Sequence, residues 1–211
     1  MKYKNAGIFK YLFHNSFIFL PSTYFDLYHS LIISLNASIS ALGNPQSPVR
    51  LPFNIWMFIE GMLFLISLPA LYKQYHSTSG WMTIILIVFI AVFGIGACIF
   101  TAFFSVNETK EIVTFSSKIH GAGSALGFMV FLFVPLLLAI LSFKGGDMII
   151  GFISIICFII SLVFFAMFVM SDKKEFANTV ISNEGLWQRL NLIFMYLPLA
   201  IISVKNILQT T

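Results

Sequence analysis

The stretch MIIGFISIICFIISLVFFAMFVM, residues 148–170, decides the fold class. It contains no charged side chain, and as a helix it is long enough to cross a hydrocarbon core of roughly 30 Å, which takes about 20 residues. The whole chain has the same character: 59% of its residues are hydrophobic, 9% are charged, and the mean hydropathy is +0.94. Because a soluble domain needs more charge to hydrate its surface, we predict an all-α membrane protein.

Polar breaks divide the rest of the chain into further apolar spans. The breaks read KQYHSTSG, SVNETKEIVTFSSK, FKGGD and SDKKEFANTVISNEG. We predict membrane helices over residues 6–27, 53–72, 81–104, 120–142, 148–170 and 187–204. Together they form one domain over residues 1–211, a bundle of six transmembrane helices with a structured first outer loop.

The N-terminal part leaves the number of helices open. Residues 6–27 and 24–42 are both apolar but interrupted by polar side chains. One crossing before Arg50 gives six helices, and two crossings give seven. We favour the first stretch as the spanning helix, with residues 28–52 as an outer loop whose interfacial or re-entrant part packs on protein.

The distribution of charge bears on orientation and partners. Lysine and arginine are equally frequent on the two sides of the six-helix model, so the positive-inside rule does not decide the orientation. The short, acid-poor loops and a lysine-rich N-terminus favour both termini inside, in the inner (cytoplasmic) membrane of a bacterium. The net charge of +4 comes from scattered basic residues, so we expect no nucleic-acid partner.

A narrow polar stripe opens the predicted helix at residue 120, in the stretch KIHGAGSALGFM (118–129). Ser117, His120, Ser124 and Gly127 recur at helical spacing and therefore share one face. Because an ionisable side chain in the membrane costs several kcal/mol unless it is paired or hydrated, His120 is either a polar anchor or part of a site.

Two further helices carry polar groups near the same membrane depth. Glu184 and Gln188 share a face in the segment NEGLWQRLN, with Arg189 turned about 100° away from Gln188. Glu60 lies inside its helix, and we expect it to pair with a base such as Arg189 or His120, or to be protonated. The three helices that carry these groups all begin at the side of the membrane that we expect to be the outer one.

Glycine occurs at positions 94, 96, 121, 123 and 127 within the predicted helices. Small residues at such positions more often permit close helix packing than ligand contact. Cys98 and Cys157 lie mid-span without a CxxC spacing, and we expect them to be packing residues. No zinc or phosphate-loop motif is present, so we predict neither a metal nor a cofactor.

Several short motifs in a fixed order carry a family resemblance. They are ISALG (39–43), a Pro/Ser-rich turn, Phe53-Asn54 opening a helix with Gly61 inside it, His120 followed by small residues, and Gly185 to Arg189 followed by Leu190. This order resembles the domain-of-unknown-function 998 family of bacterial and archaeal six-helix integral membrane proteins. The resemblance implies topology and the location of a site, but no mechanism. Ala41 departs from the family, which often has an acid there.

We therefore expect a polar site that opens to the outer leaflet and binds a membrane lipid or another amphipathic ligand. Arg189 would hold an anionic phosphate or carboxylate, and His120 would donate a hydrogen bond or act as a general base in a membrane-embedded hydrolase or acyl transferase. No GxSxG motif supports the enzymatic form. The candidate ligand-binding residues are His120, Glu184, Arg189, Glu60, Ser40 and Gln188.

The alternative is a non-enzymatic role as a transporter or as an accessory subunit of a membrane protein complex. Small-residue helix faces suit packing against a membrane protein partner or a second copy of the chain. No inverted repeat is visible in the sequence, which weakens the interpretation as a transporter that acts alone.

Overall fold

The computed structural model describes residues 37–106 and 114–208. Within these ranges five helices are long and apolar enough to cross a membrane. They are α1 (Arg50–Tyr75), α2 (Gly80–Phe103), α3 (Phe115–Lys144), α4 (Met148–Ser171) and α5 (Glu184–Leu208). The other helical segments there are the short turns Ile39–Gly43, Lys174–Phe176 and Val180–Ser182. The helical membrane class is thus confirmed, while the helix predicted over residues 6–27 lies outside the described residues.

Four of the five helices extend beyond their predicted spans into polar sequence, whereas α2 agrees with its span to within one residue at each end. α1 begins at Arg50, with Pro52 in its first turn, where a missing backbone N–H costs no helical hydrogen bond. α3 begins five residues before the predicted start because a capping box forms between Thr114 and Ser117. Several polar residues that we placed in loops therefore form the ends of helices.

Since the helices alternate in direction, three described segments meet at one end of the bundle. We call this end the mouth; it comprises residues 37–49, 104–106 and 172–183. At the opposite end Asp147 accepts a hydrogen bond from Ile150 N at the start of α4 and forms an ion pair with Lys205 of α5. This ion pair connects the last helix to the α3–α4 turn at that end.

Glycine contacts bring α1, α2 and α3 together at backbone distance. A Cβ atom on Gly61 would lie 2.6 Å from the Gly94 carbonyl oxygen, and one on Gly123 would lie 2.8 Å from the Gly96 carbonyl oxygen. Gly94 and Gly96 belong to a π-helical segment of α2, Phe93–Ile99, and such segments occur often at functional sites. In contrast to these four, a Cβ on Gly121 would meet nothing within 4 Å.

Helix α3 is interrupted at Leu132 and Phe133, just before Pro135. Proline lacks the N–H that would continue the helical ladder, and its ring disturbs the preceding turn. The N-terminal half of α3 packs on the π segment of α2, whereas the C-terminal half packs on α4. Helix α3 therefore contacts α4 near the end opposite the mouth. Toward the mouth a wedge-shaped space opens between α3 and the α4–α5 pair.

Candidate functional site

A cavity of about 320 Å³ occupies this wedge. Its lining is mostly apolar, with a small number of polar side chains, which is typical of small-molecule sites. Five of the six residues selected from the sequence line it: Ser40, Glu60, His120, Glu184 and Gln188. Gly121 and Ala125 of α3 also line the cavity and are exposed, so they mark its open side within the described part of the chain.

Glu60 lies on the α1 wall of the cavity. Its Oε1 accepts a hydrogen bond from the hydroxyl group of Tyr196 on α5 at 2.8 Å, and Trp56, one turn earlier on α1, is a second hydrogen-bonding neighbour. Neither of these two partners is basic, so the described contacts do not include the pairing with Arg189 or His120; the alternative that we stated, a protonated carboxyl group, stays a prediction. The carboxyl group is therefore held in position by neutral donors.

His120 is both an anchor and a wall of the cavity. Its Nδ1 lies 3.0 Å from the carbonyl oxygen of Phe104, at the end of α2. Because a carbonyl oxygen only accepts, Nδ1 carries the proton, and in the neutral ring Nε2 is then an acceptor. One turn further along α3, Ser124 Oγ lies 3.4 Å from Thr101 Oγ1. The polar stripe of α3 thus faces α2 and the cavity together.

The turn Ile39–Gly43 closes one side of the mouth. The backbone N–H of Ile39 donates to Gln188 Oε1 at 2.7 Å, and both residues are buried. Ser40 lines the cavity and lies 3.1 Å from Ser38, Oγ to Oγ. The loop thus contacts the start of α5 directly.

Arg189 points away from the cavity lining. Its Nη1 donates to the carbonyl oxygens of Ala37 at 3.2 Å and Gly185 at 2.9 Å, and the residue is buried. The guanidinium group therefore holds the loop backbone against α5. Arg189 thus positions the loop and is not among the described residues that line the cavity, and its ligand-binding role stays a prediction.

A cluster of aromatic rings forms the inner boundary of the cavity. Phe93 and Phe131 lie 4.1 Å apart between ring centroids, and Tyr196 lies 5.5 Å from Phe131 and 5.9 Å from Phe93. Phe64 completes the group at 5.4 Å from Phe93. We call these four rings the aromatic floor.

Sequence reasoning missed Tyr196, although a signal for it existed. Tyr196 lies eight residues after Gln188 and therefore on the same helical face. Its hydroxyl group contacts Glu60 and its ring belongs to the aromatic floor. A tyrosine in an apolar run resembles an ordinary packing residue, so only the more polar residues of α5 were selected as candidates.

The described residues contain no group of three His, Cys, Asp or Glu side chains placed to hold a metal ion. The serine and threonine hydroxyl groups that line the cavity bond to each other or to backbone: Ser38 with Ser40, and Thr101 with Ala97 O and Ser124. Hydrogen bonds between a serine and His120 are not formed in the described ranges. The geometry therefore resembles a binding site more than a nucleophile and base prepared for acyl transfer.

The model of one protein family, described as "Protein of unknown function (DUF998)", matches residues 27–205. The chain belongs to this family. The DUF998 match covers the first four described spans completely, the fifth up to residue 205, and every described residue that lines the cavity. Comparisons with curated proteins and with solved structures give no match.

Proposed function

We propose that this DUF998 protein binds an amphipathic ligand, such as a membrane lipid, in the cavity at its mouth. The observation that supports this proposal is that Ser40, Glu60, His120, Glu184 and Gln188 line one largely apolar space. A polar head would lie beside these groups, and an apolar chain would lie against the phenylalanine side chains. Gly121, whose open side has room for a side chain, lies on the route by which a chain enters from the bilayer.

The proposal includes a location. The chain resides in the cytoplasmic membrane of a bacterium with both termini inside, which places the mouth and the cavity in the outer leaflet. The polar loops at the mouth and the acid-poor turns at the opposite end favour this orientation. Binding is proposed without a reaction, since the described serines do not bond to His120.

Native mass spectrometry of the protein in mild detergent tests the proposal. The probe is an added mixture of phosphatidylethanolamine, phosphatidylglycerol and cardiolipin. Gly121→Trp places an indole in the open side of the cavity, while Leu126→Trp, at an exposed position of the same helix, is the matched control. We expect a lipid adduct in the wild type and in Leu126→Trp, and its loss in Gly121→Trp.

Equal adducts in all three proteins would place the lipid on the outer surface and refute the cavity as a ligand site. A protein partner at fixed stoichiometry, with no lipid adduct, would favour the alternative role as an accessory subunit. The many exposed apolar side chains of α4, among them Ile149, Phe152 and Ile156, suit lipid or a partner helix equally well.

A further inference from the structure

We infer that the ligand of the cavity carries a second polar group, such as a hydroxyl, about 12 Å along its chain from the polar head. This inference rests on the proposed function and specifies the chemical class of the amphiphile. The head lies beside the polar groups nearest the mouth, and the second polar group meets Glu60. The order of polar and apolar side chains between the mouth and the aromatic floor supports it.

One side of α5 provides both the order and the distance. Four residues at intervals of four line the cavity there: Glu184, Gln188, Leu192 and Tyr196. Neighbours at this spacing are adjacent on the surface of a helix. From the mouth inward, the first two are polar, Leu192 is apolar, and Tyr196 again carries a polar group. The eight residues from Gln188 to Tyr196 extend about 12 Å along the helix axis, so a ligand beside α5 meets polar groups at two depths.

Helix α3 repeats the outer part of this order on the opposite wall. His120 and Ser124 line the cavity and contact the end of α2, at the Phe104 carbonyl oxygen and at Thr101. Phe128, one turn further along α3, also lines the cavity and is apolar. An outer polar level is therefore followed by an apolar level on both walls.

The inner polar level is the pair formed by Glu60 and Tyr196. The Tyr196 hydroxyl group donates to Glu60 Oε1 at 2.8 Å, and Trp56 is the second neighbour that hydrogen-bonds to the carboxyl group. A carboxylate has about four acceptor positions, and a protonated carboxyl group adds a donor, so two donors do not exhaust either form. A hydroxyl group both donates and accepts. Since Glu60 lines the cavity, a ligand hydroxyl can bond to it in either protonation state.

Packing alone does not explain this pair. Phe64 and Phe93 of the aromatic floor lie 5.5 and 5.9 Å from the Tyr196 ring, between centroids, so the surroundings are largely apolar. A carboxyl group is costly to bury in such surroundings, and apolar side chains of similar volume often stabilise a core equally well. Binding of a polar group accounts for a carboxyl group at the inner end of the cavity.

Three alcohols with the same chain test the inference: 1-decanol, 1,2-decanediol and 1,10-decanediol. The two diols contain the same atoms and differ only in where the second hydroxyl group lies. Binding of the tritiated alcohols to the full-length protein in a neutral maltoside detergent is measured by scintillation proximity. Because the diols partition differently into micelles, we compare the ratio of their affinities, 1,10-decanediol to 1,2-decanediol, between a variant and the wild type.

The double variant Glu60→Leu/Tyr196→Phe makes the inner level apolar. We expect it to lower the affinity ratio about threefold to tenfold, the effect of one hydrogen bond, without weakening 1-decanol binding. The matched control is Tyr72→Phe/Glu175→Leu, which makes the same two changes at exposed positions and should leave the ratio as it is in the wild type. If the double variant does not fold, Glu60→Leu alone supplies the comparison.

The possible outcomes separate this inference from the proposed function. An unchanged ratio in the double variant, with loss of all three alcohols in Gly121→Trp, overturns the second polar group and leaves the cavity as a lipid site. Binding of the alcohols that Gly121→Trp does not weaken refutes both. A lowered ratio in the double variant, with loss of binding in Gly121→Trp, supports both.

Two sources of such a ligand can be distinguished by the compounds that copurify with the protein. Enrichment of phospholipids with a hydroxylated chain, over those with plain chains, supports the inference and identifies a bilayer lipid as the ligand. Enrichment of a free hydroxylated chain also supports it and identifies a single-chain compound. Enrichment of lipids with plain chains only contradicts it.

Discussion

The side chain of Gln188 accepts a hydrogen bond from the backbone N–H of Ile39 at 2.7 Å, which joins residues 149 positions apart. Ile39 begins the turn at the mouth, and Gln188 lies in the first two turns of α5. Arg189 adds a second connection to the same loop through the Ala37 carbonyl oxygen. The wall formed by the loop is therefore fixed by two consecutive residues of the last helix.

Replacing Gln188 by Leu should lower the free energy of unfolding by about 1–3 kcal/mol, because the buried N–H of Ile39 loses its acceptor. Thermal unfolding in detergent measures the change. Gln46→Leu, at an exposed position of the same loop, should remain within about 0.5 kcal/mol of the wild type. An equal loss in both variants would show that the loop tolerates no leucine and that the hydrogen bond is not the cause.

Two glycines of α3 that are two positions apart should differ in how replacement by alanine affects stability. In Gly123→Ala the new Cβ would lie 2.8 Å from the Gly96 carbonyl oxygen and 2.9 Å from the Phe100 ring, and such overpacking costs about 1–3 kcal/mol. In Gly121→Ala the methyl group meets open space, so we expect no loss of stability. Unfolding measured side by side in one detergent compares them, and equal stability would contradict the close contact of α2 and α3.

The Asp147–Lys205 ion pair, at the end opposite the mouth, should contribute little to the free energy of unfolding. Lys205 and Asp147 have 40% and 32% of their side-chain surface exposed, and exposed pairs contribute less than about 1 kcal/mol. Asp147→Asn and Lys205→Met should each lower the free energy of unfolding by no more than that. Asp147→Ala should lose about 1 kcal/mol more, since it also removes the cap on Ile150 N. Equal effects of Asn and Ala would show that the cap does not stabilise α4.

Single cysteines should report the orientation on intact cells. In a background with Cys98 and Cys157 replaced by alanine, Gln46→Cys at the mouth should react with a membrane-impermeant maleimide. Ser77→Cys, exposed in the turn between α1 and α2, should react only after permeabilisation. The reverse pattern would place the mouth and its cavity on the cytoplasmic side.

Apolar runs between polar breaks were sufficient to predict the five spans that the structure describes, since apolar runs of this length are typical of membrane helices. They did not locate the helix ends. Arg50 and Phe115 begin helices within polar sequence, because capping groups and proline at the first turn stabilise the start of a helix there. Boundaries depend on such local hydrogen bonds, which hydropathy does not register.

The site could be predicted in part, for a geometric reason. His120 and Gln188 belong to polar helical faces, and such faces turn toward protein or water in a membrane. The rotation of about 100° between Gln188 and Arg189 was visible in the sequence. That the Arg189 guanidinium group bonds to the loop could not be predicted, because this contact depends on where the fold places Ala37. Likewise Tyr196 and Glu60 meet only because α5 packs beside α1, a contact that no local pattern encodes.

The aromatic floor determines what kind of passage the cavity can be. Phe93 and Phe131 are buried to within 2% of full enclosure, and each touches the ring of Tyr196. A molecule that moved from the mouth to the opposite end would have to separate these rings and break the Tyr196–Glu60 hydrogen bond. Within the described bundle the space is therefore a blind vestibule, and an occupant leaves by the side through which it arrived.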